Sequence, residues 1–201
     1  MVVRAVDGLR ASPHVDDVVV AAPPGLVDLM RSLLPAADDV QVVEGGDDRI
    51  DSVDRALAAV AGEVDVVLVH DAARCLCPSG VVDAVIEAVR SGHDAVVPAL
   101  PVADTLKRVD PEGLVSATVD RRGLVGVQTP QGFTPAALRA AHERARAERA
   151  AGRPLPATDD AGLVEATGGT VAVVDGDPRA FKITTPLDLA MADALVVAGP
   201  A

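Results

Sequence analysis

The chain has 201 residues, 49% of them hydrophobic, and a formal charge of -12. That is enough apolar material for one sizeable core, so a single domain over residues 1–201 is expected, and the negative charge argues against nucleic acid as a partner. No apolar run approaches the roughly 20 residues of a membrane helix, because Asp, Arg, Gly or Pro interrupts every stretch; no membrane partner is expected.

Helix-like and strand-like periodicities alternate along the chain, the mark of a sheet wrapped by helices. The start, Met1 to Asp7, reads as an amphipathic helix over roughly 2–12 without the apolar centre of a secretion signal, so a cytoplasmic location is expected. A strand over 17–21, a helix over 25–34 and a strand over 40–43 follow. Gly45-Gly46-Asp47-Asp48-Arg49 then precedes a helix over 49–60 whose first turn includes Ser52. Its glycines would let a flat base approach backbone groups, or would serve only a turn.

Next, Val64 to Val69 is an apolar strand that runs into His70-Asp71-Ala72-Ala73-Arg74, placing an acid and a base where open α/β sheets build their sites. His70 reads as a structural hydrogen-bonder at the strand end rather than a base. Cys75 and Cys77 follow, separated by one residue: poor geometry for a mutual disulfide, and too few ligands for structural zinc. They read as ordinary thiols of a reducing compartment. A helix over 80–91 and a strand over 95–99 continue the alternation.

The rhythm breaks between about 102 and 129. Thr105–Val109 and Leu114–Val119 are strand-like runs around Asp110-Pro111-Glu112-Gly113, which predicts a β-hairpin arm serving as lid or dimerisation device. The arm ends in Val125-Gly126-Val127-Gln128-Thr129-Pro130-Gln131, a second polar strand exit. Helices are expected over 134–152, 159–168 and 185–197, and a strand over 170–174. Thr158 is the expected N-cap of the second of these helices, with Asp159 and Asp160 in its first turn. His14, His93 and His142 fall in polar or helical contexts and read as incidental.

A third polar exit, Ala180-Phe181-Lys182-Ile183-Thr184-Thr185-Pro186, carries one of only two lysines; Lys107 is the other, and arginine supplies the remaining cations. In a composition so poor in lysine, one that persists inside a strand pattern suggests a compact point charge that arginine cannot replace. Asp71, Arg74, Thr105, Lys107, Arg121, Thr129, Thr158 and Lys182 together offer cations, hydroxyls and an acid. That is the equipment of phosphoryl or nucleotidyl transfer, in which a carboxylate can hold Mg²⁺. No GxGxxG or GxxxxGK[ST] pattern occurs, which argues against an NAD-dependent oxidoreductase.

Taken in order, Gly45-Gly46-Asp47 with Arg49 and Ser52-Val53, His70 to Arg74, Asp104 to Arg108, Val119-Asp120-Arg121, Gln128 to Gln131, Thr158-Asp159-Asp160-Ala161 and Lys182-Ile183-Thr184 resemble the 2-C-methyl-D-erythritol 4-phosphate cytidylyltransferase family along essentially the whole chain. The resemblance implies a Rossmann-like, mostly parallel α/β sheet flanked by helices, with the arm inserted. It also implies transfer of CMP from CTP to methylerythritol 4-phosphate with Mg²⁺, releasing pyrophosphate, in the non-mevalonate isoprenoid pathway.

By the same resemblance Gly46, Asp47 and Ser52 read the cytosine and its ribose. Asp71, Ala72 and Arg74 lie between nucleotide and sugar phosphate, with Asp71 near the metal. Thr105, Arg121, Thr129 and Thr158 hold the methylerythritol phosphate, and Lys182 stabilises the α-phosphate in the transition state. The arm would swap across a homodimer. A first strand and a glycine-rich loop bearing an arginine and a lysine for the CTP phosphates would precede Met1 and have no counterpart here; a misassigned start is the preferred explanation. The alternatives are a cytidylyltransferase acting on ribitol 5-phosphate and a non-catalytic nucleotide-binding dimer.

Overall fold

The computed structural model describes residues 1–34 and 36–199. The described residues form the helices α1 (Val2–Arg10), α2 (Val27–Leu33), α3 (Arg49–Ala59), α4 (Ser79–Arg90), α5 (Pro135–Ala150), α6 (Asp160–Ala166) and α7 (Pro186–Ala198). Nine strands accompany them: β1 (Val18–Ala22), β2 (Val40–Glu44), β3 (Val67–Val69), β4 (Ala95–Pro101), β5 (Lys107–Val109), β6 (Val115–Thr118), β7 (Val125–Val127), β8 (Gln131–Phe133) and β9 (Val171–Asp175).

The main sheet has the order β3-β8-β4-β7, with β9 also paired to β4. β9 runs parallel to β4, while the short β8 lies antiparallel to both β3 and β4, so β3, β4 and β9 share one direction. β4 shows how the layers arise. Its side chains alternate between faces, so Ala95 and Val97 join a core with Leu57, Phe133, Leu138 and Leu163 under α3, α5 and α6. Val96 meets Val85 and Val89 of α4 on the other face. Gly132 of β8 lies under α4, where a Cβ would collide with the Val85 side chain.

β1 and β2 form a separate parallel pair, packed with α1 and α2 through Val6, Val18, Ala22, Leu34 and Val42. Among the described residues no ladder joins this pair to the main sheet. β1 and β3 each keep one edge without a strand partner, and both line a cavity of about 630 Å³ that also touches Val6, Leu9, Val53 and Leu57. The cavity reaches Arg49, Ser52, Asp71 and Ala72.

The arm is a hairpin of β5 and β6, with a register irregularity at Arg108/Val109. Its return strand β7 pairs with β4 and so belongs to the main sheet. The structure corrects three expectations. The strand expected over 64–69 is confined to 67–69. The segment around Lys182 is not a strand: it is an extended stretch between a 3₁₀ turn (Pro178–Ala180) and α7, tied down by Ile183 N–H donating to Ala73 O at 2.9 Å. The cap of α6 is Asp159, whose carboxylate accepts from Gly162 N–H at 2.9 Å, so the helix starts one residue later than a Thr158 cap would place it.

Candidate functional site

The loop after β3 carries the acid. Asp71 is held from below by the Thr129 hydroxyl, which accepts from Asp71 N–H at 3.1 Å and lies 3.0 Å from His70 Nδ1. Burial pushes the His70 pKa down from 6.5 to about 4, so its imidazole is neutral at physiological pH and serves as a fixed hydrogen-bonder, as its strand-end position suggested.

Three polar exits meet here. Lys182 Nζ lies 2.9 Å from Asp71 Oδ2, and Arg49 Nε lies 3.6 Å from Asp71 Oδ1. Burial raises the Asp71 pKa, but the Lys182 hydrogen bond and the charges of Lys182, Arg49 and Arg74 outweigh it and hold the carboxyl below its ordinary value. Asp71 is therefore an anion set between cations, with Lys182 still half open to solvent, its side chain 46% exposed.

Arg74 joins the three exits. Its guanidinium donates to Ala180 O at 2.8 Å and to Val127 O at 3.3 Å, so one side chain ties the Asp71 loop to both other exits. Burial lowers its pKa, with Asp71 opposing. Its Nε is buried without a hydrogen-bond partner.

The Gln128–Gln131 stretch fastens the surrounding loops. Gln128 exchanges two hydrogen bonds with the backbone of Asp177, at 2.9 and 3.1 Å. Gln131 donates to Asp159 Oδ2 at 2.6 Å and accepts from Ala161 N–H at 3.2 Å.

The glycine segment leads into α3, whose Arg49 and Ser52 line the same cavity. Asp48 caps the helix by accepting from Asp51 N–H at 2.9 Å, and Ser52 Oγ donates to Asp48 O while accepting from Gly46 N–H at 3.0 Å. A Cβ at Gly46 would collide with Asp51, and one at Gly45 would sit 2.8 Å from Ser52 Oγ. Both glycines are thus required by the fold of this turn. Asp47 and Ala72 remain exposed beside it.

Thr105, Arg121 and Thr158 are exposed and make no side-chain hydrogen bond to this cluster among the described residues. Thr105 lies between β4 and β5, Thr158 immediately before the α6 cap, and Arg121 in the turn between β6 and β7, its guanidinium on Ala103 O. Sequence reading missed Arg49 as a charged member of the site and placed Asp160 only in the first turn of its helix, whereas Asp160 Oδ2 receives Arg49 Nη1 at 2.5 Å. Arg49 was visible only as one letter of a motif. Among the described residues no group of three or more His, Cys, Asp or Glu is placed to hold a metal by itself.

An α/β sheet that brings a lysine, arginines and the Asp71 carboxylate together at its strand ends, beside a glycine turn and with no dinucleotide fingerprint, defines a nucleotidyltransferase-type site. The comparisons with known proteins specify it. Residues 1–198 match the model of the family described as IspD: 2-C-methyl-D-erythritol 4-phosphate cytidylyltransferase. A protein of that name from Rhodococcus jostii is 53% identical over 199 residues, 99% of this chain and 83% of the relative. One from Frankia casuarinae is 52% identical over 196 residues, 98% of this chain and 70% of the relative. The crystal structure of 2-C-methyl-D-erythritol 4-phosphate cytidylyltransferase from Thermus thermophilus superposes with a TM-score of 0.79 at 41% identity, covering 95% of this chain and 85% of that one. This chain belongs to the 2-C-methyl-D-erythritol 4-phosphate cytidylyltransferase family.

Proposed function

We propose that the Asp71–Lys182 cluster is the reacting centre of a cytidylyltransferase that transfers CMP from CTP to 2-C-methyl-D-erythritol 4-phosphate, giving 4-CDP-2-C-methyl-D-erythritol and pyrophosphate. The observation that carries this reading is the 2.9 Å pair of Lys182 Nζ and Asp71 Oδ2 at the junction of three strand exits, in a chain of this family. The acceptor's phosphate oxygen attacks the α-phosphorus of CTP in line; the new P–O bond forms as the bond to pyrophosphate breaks. Lys182, a compact ammonium, is placed to meet the negative charge that grows on the α-phosphate oxygens. Arg74 and Ile183 keep the lysine segment against the Asp71 loop, so its charge is positioned before substrate arrives.

Asp71 offers one carboxylate, which fits Mg²⁺ carried in on substrate phosphates rather than a site built from protein ligands alone. Bound there, the ion would neutralise phosphate charge. Ser52 and Ala72 line the cavity beside Asp71, and together with Gly46 and Asp47 they would take the cytidine. Thr105, Arg121, Thr129 and Thr158 would take the acceptor phosphate, and because Arg121 stands out on the arm, its partner site would lie in a second subunit.

The protein would then work as one nucleotidyltransferase domain in a cytoplasmic homodimer joined through the arm. Among the described residues no helix is long and apolar enough to cross a membrane. Pyrophosphate release from CTP and Mg²⁺, measured with methylerythritol 4-phosphate, with ribitol 5-phosphate and with neither, tests the reading. Release is expected only with methylerythritol 4-phosphate. Preference for ribitol 5-phosphate would replace the acceptor, and nucleotide binding without release would make this a non-catalytic dimer.

A further inference from the structure

One buried polar side chain has no part in the chemistry above. His142 of α5 is 1% exposed, and an imidazole taken out of water without a task costs more than the leucine that would fill the same space. Its Nε2–H donates to Asp160 Oδ1 at 2.8 Å. Its Nδ1 is buried without a hydrogen-bond partner, the nearest carboxylate oxygen being Asp54 Oδ1 at 3.8 Å. Asp160 is itself fully buried, and its second oxygen receives Arg49 Nη1. Arg49 in turn faces Asp71.

We propose that His142 is a positioning residue for the transfer reaction: by occupying one oxygen of Asp160, it restricts Arg49 to the other and so holds the guanidinium toward Asp71. A carboxylate with both oxygens free accepts arginine as a two-pronged fork. Without His142, Arg49 would turn fully onto Asp160 and withdraw from Asp71, which would leave Lys182 as the main cation on that acid. The same hydrogen bond matters for charge. Burial pushes the Asp160 pKa up, and the His142 hydrogen bond together with Arg49 holds it below the ordinary value, so removing His142 moves protonation of Asp160 to higher pH. The other charged groups around this network are Asp54 of α3, the Arg146 of α5 that pairs with it, and the α6 cap Asp159, which Gln131 of β8 holds in place.

This inference rests on Asp71 and Lys182 being the reacting centre, and the test separates the two. His142→Leu and His142→Gln are compared with the unaltered chain by acceptor-dependent pyrophosphate release against pH, and by the Arg49 Nε–H resonance in NMR. In His142→Leu, kcat falls by about 10- to 100-fold, as for a displaced charged group, with KM for CTP within about twofold and the acid limb moved to higher pH. The Arg49 resonance shifts. In His142→Gln, whose amide can donate to Asp160, most of both is restored. Wild-type kcat in His142→Leu, an unmoved Arg49 resonance, or equal deficits in the two variants would each overturn the proposal. If the unaltered chain releases no pyrophosphate, the functional reading fails and the Arg49 resonance alone decides on positioning. If His142→Leu does not fold, a wild-type Arg49 resonance in His142→Gln supports the proposal and a displaced one overturns it.

Discussion

The end of the sheet around Asp71 and the arm carry similar residue types in opposite states. Around Asp71 every charged group has a partner from a distant part of the chain: Lys182, Arg49 and Asp160 form one chain of ion pairs, and Arg74 binds backbone from two other segments. On the arm nothing in β5, β6 or β7 is buried; Arg122 pairs only with its neighbour Asp120, and Val109, Leu114 and Val115 face outward. The charged cluster around Asp71 is thus complete within one chain, whereas the arm's side chains are left facing solvent. Exposed valine and leucine beside an exposed arginine are what a partner surface would cover.

The largest effect is expected at the charged end. Lys182→Ala should cut turnover by about a thousandfold, the scale set by losing a transition-state donor, with an unchanged melting temperature because the ammonium is half exposed. Turnover within tenfold of wild type would remove the lysine from the chemistry. Next comes the arm: Arg121→Ala should lower turnover by about a hundredfold, and mixing it with Lys182→Ala subunits should bring back activity that neither homodimer has, since one site per mixed dimer keeps both residues. No recovery on subunit exchange would place Arg121 in its own chain's site.

A smaller effect concerns stability. His70 is held neutral in the fold down to about pH 4, whereas in the unfolded chain it takes a proton near 6.5. The unfolded state therefore binds more protons between those values, and stability should fall as pH drops from about 6.5 to 4, by on the order of 3 kcal/mol. Denaturant titrations across that range should show the slope, and His70→Asn should flatten it. Asp71 and Asp160, both lowered, add stability above their ordinary value of 3.8 that is lost only at more acid pH. The smallest effect belongs to Lys107, whose ammonium meets Thr118 on the exposed hairpin. Lys107→Ala should leave the melting temperature within about 1 °C, in line with exposed pairs elsewhere.

Helix α4 was legible because it buries Val81, Val82, Val85, Ile86 and Val89 at helical spacing, and Ala95 to Ala99 was legible because a strand covered on both faces is continuously apolar. β8 was not: Gln131-Gly132-Phe133 is three residues long, fully buried, and shows no alternation. Lys182 was found for its rarity, although the strand imagined around it is an extended loop pinned to Ala73. The His142–Asp160–Arg49 relay stayed hidden because Arg49 and Asp160 lie 111 positions apart and nothing in a single sequence pairs them. His142 was passed over for the same reason: on a helix rich in Arg and Glu, one more polar letter carries no sign of facing inward.

The Arg74 clasp has a mechanical consequence. Its guanidinium holds the backbone of Val127 and Ala180, Arg74 N–H donates to Asp71 O, and Ile183 N–H closes the same seam on Ala73 O. Segments tied in this way open as one cooperative unit. The amide protons of Arg74 and Ile183 should therefore exchange with solvent at matching rates, and Arg74→Ala should speed both together.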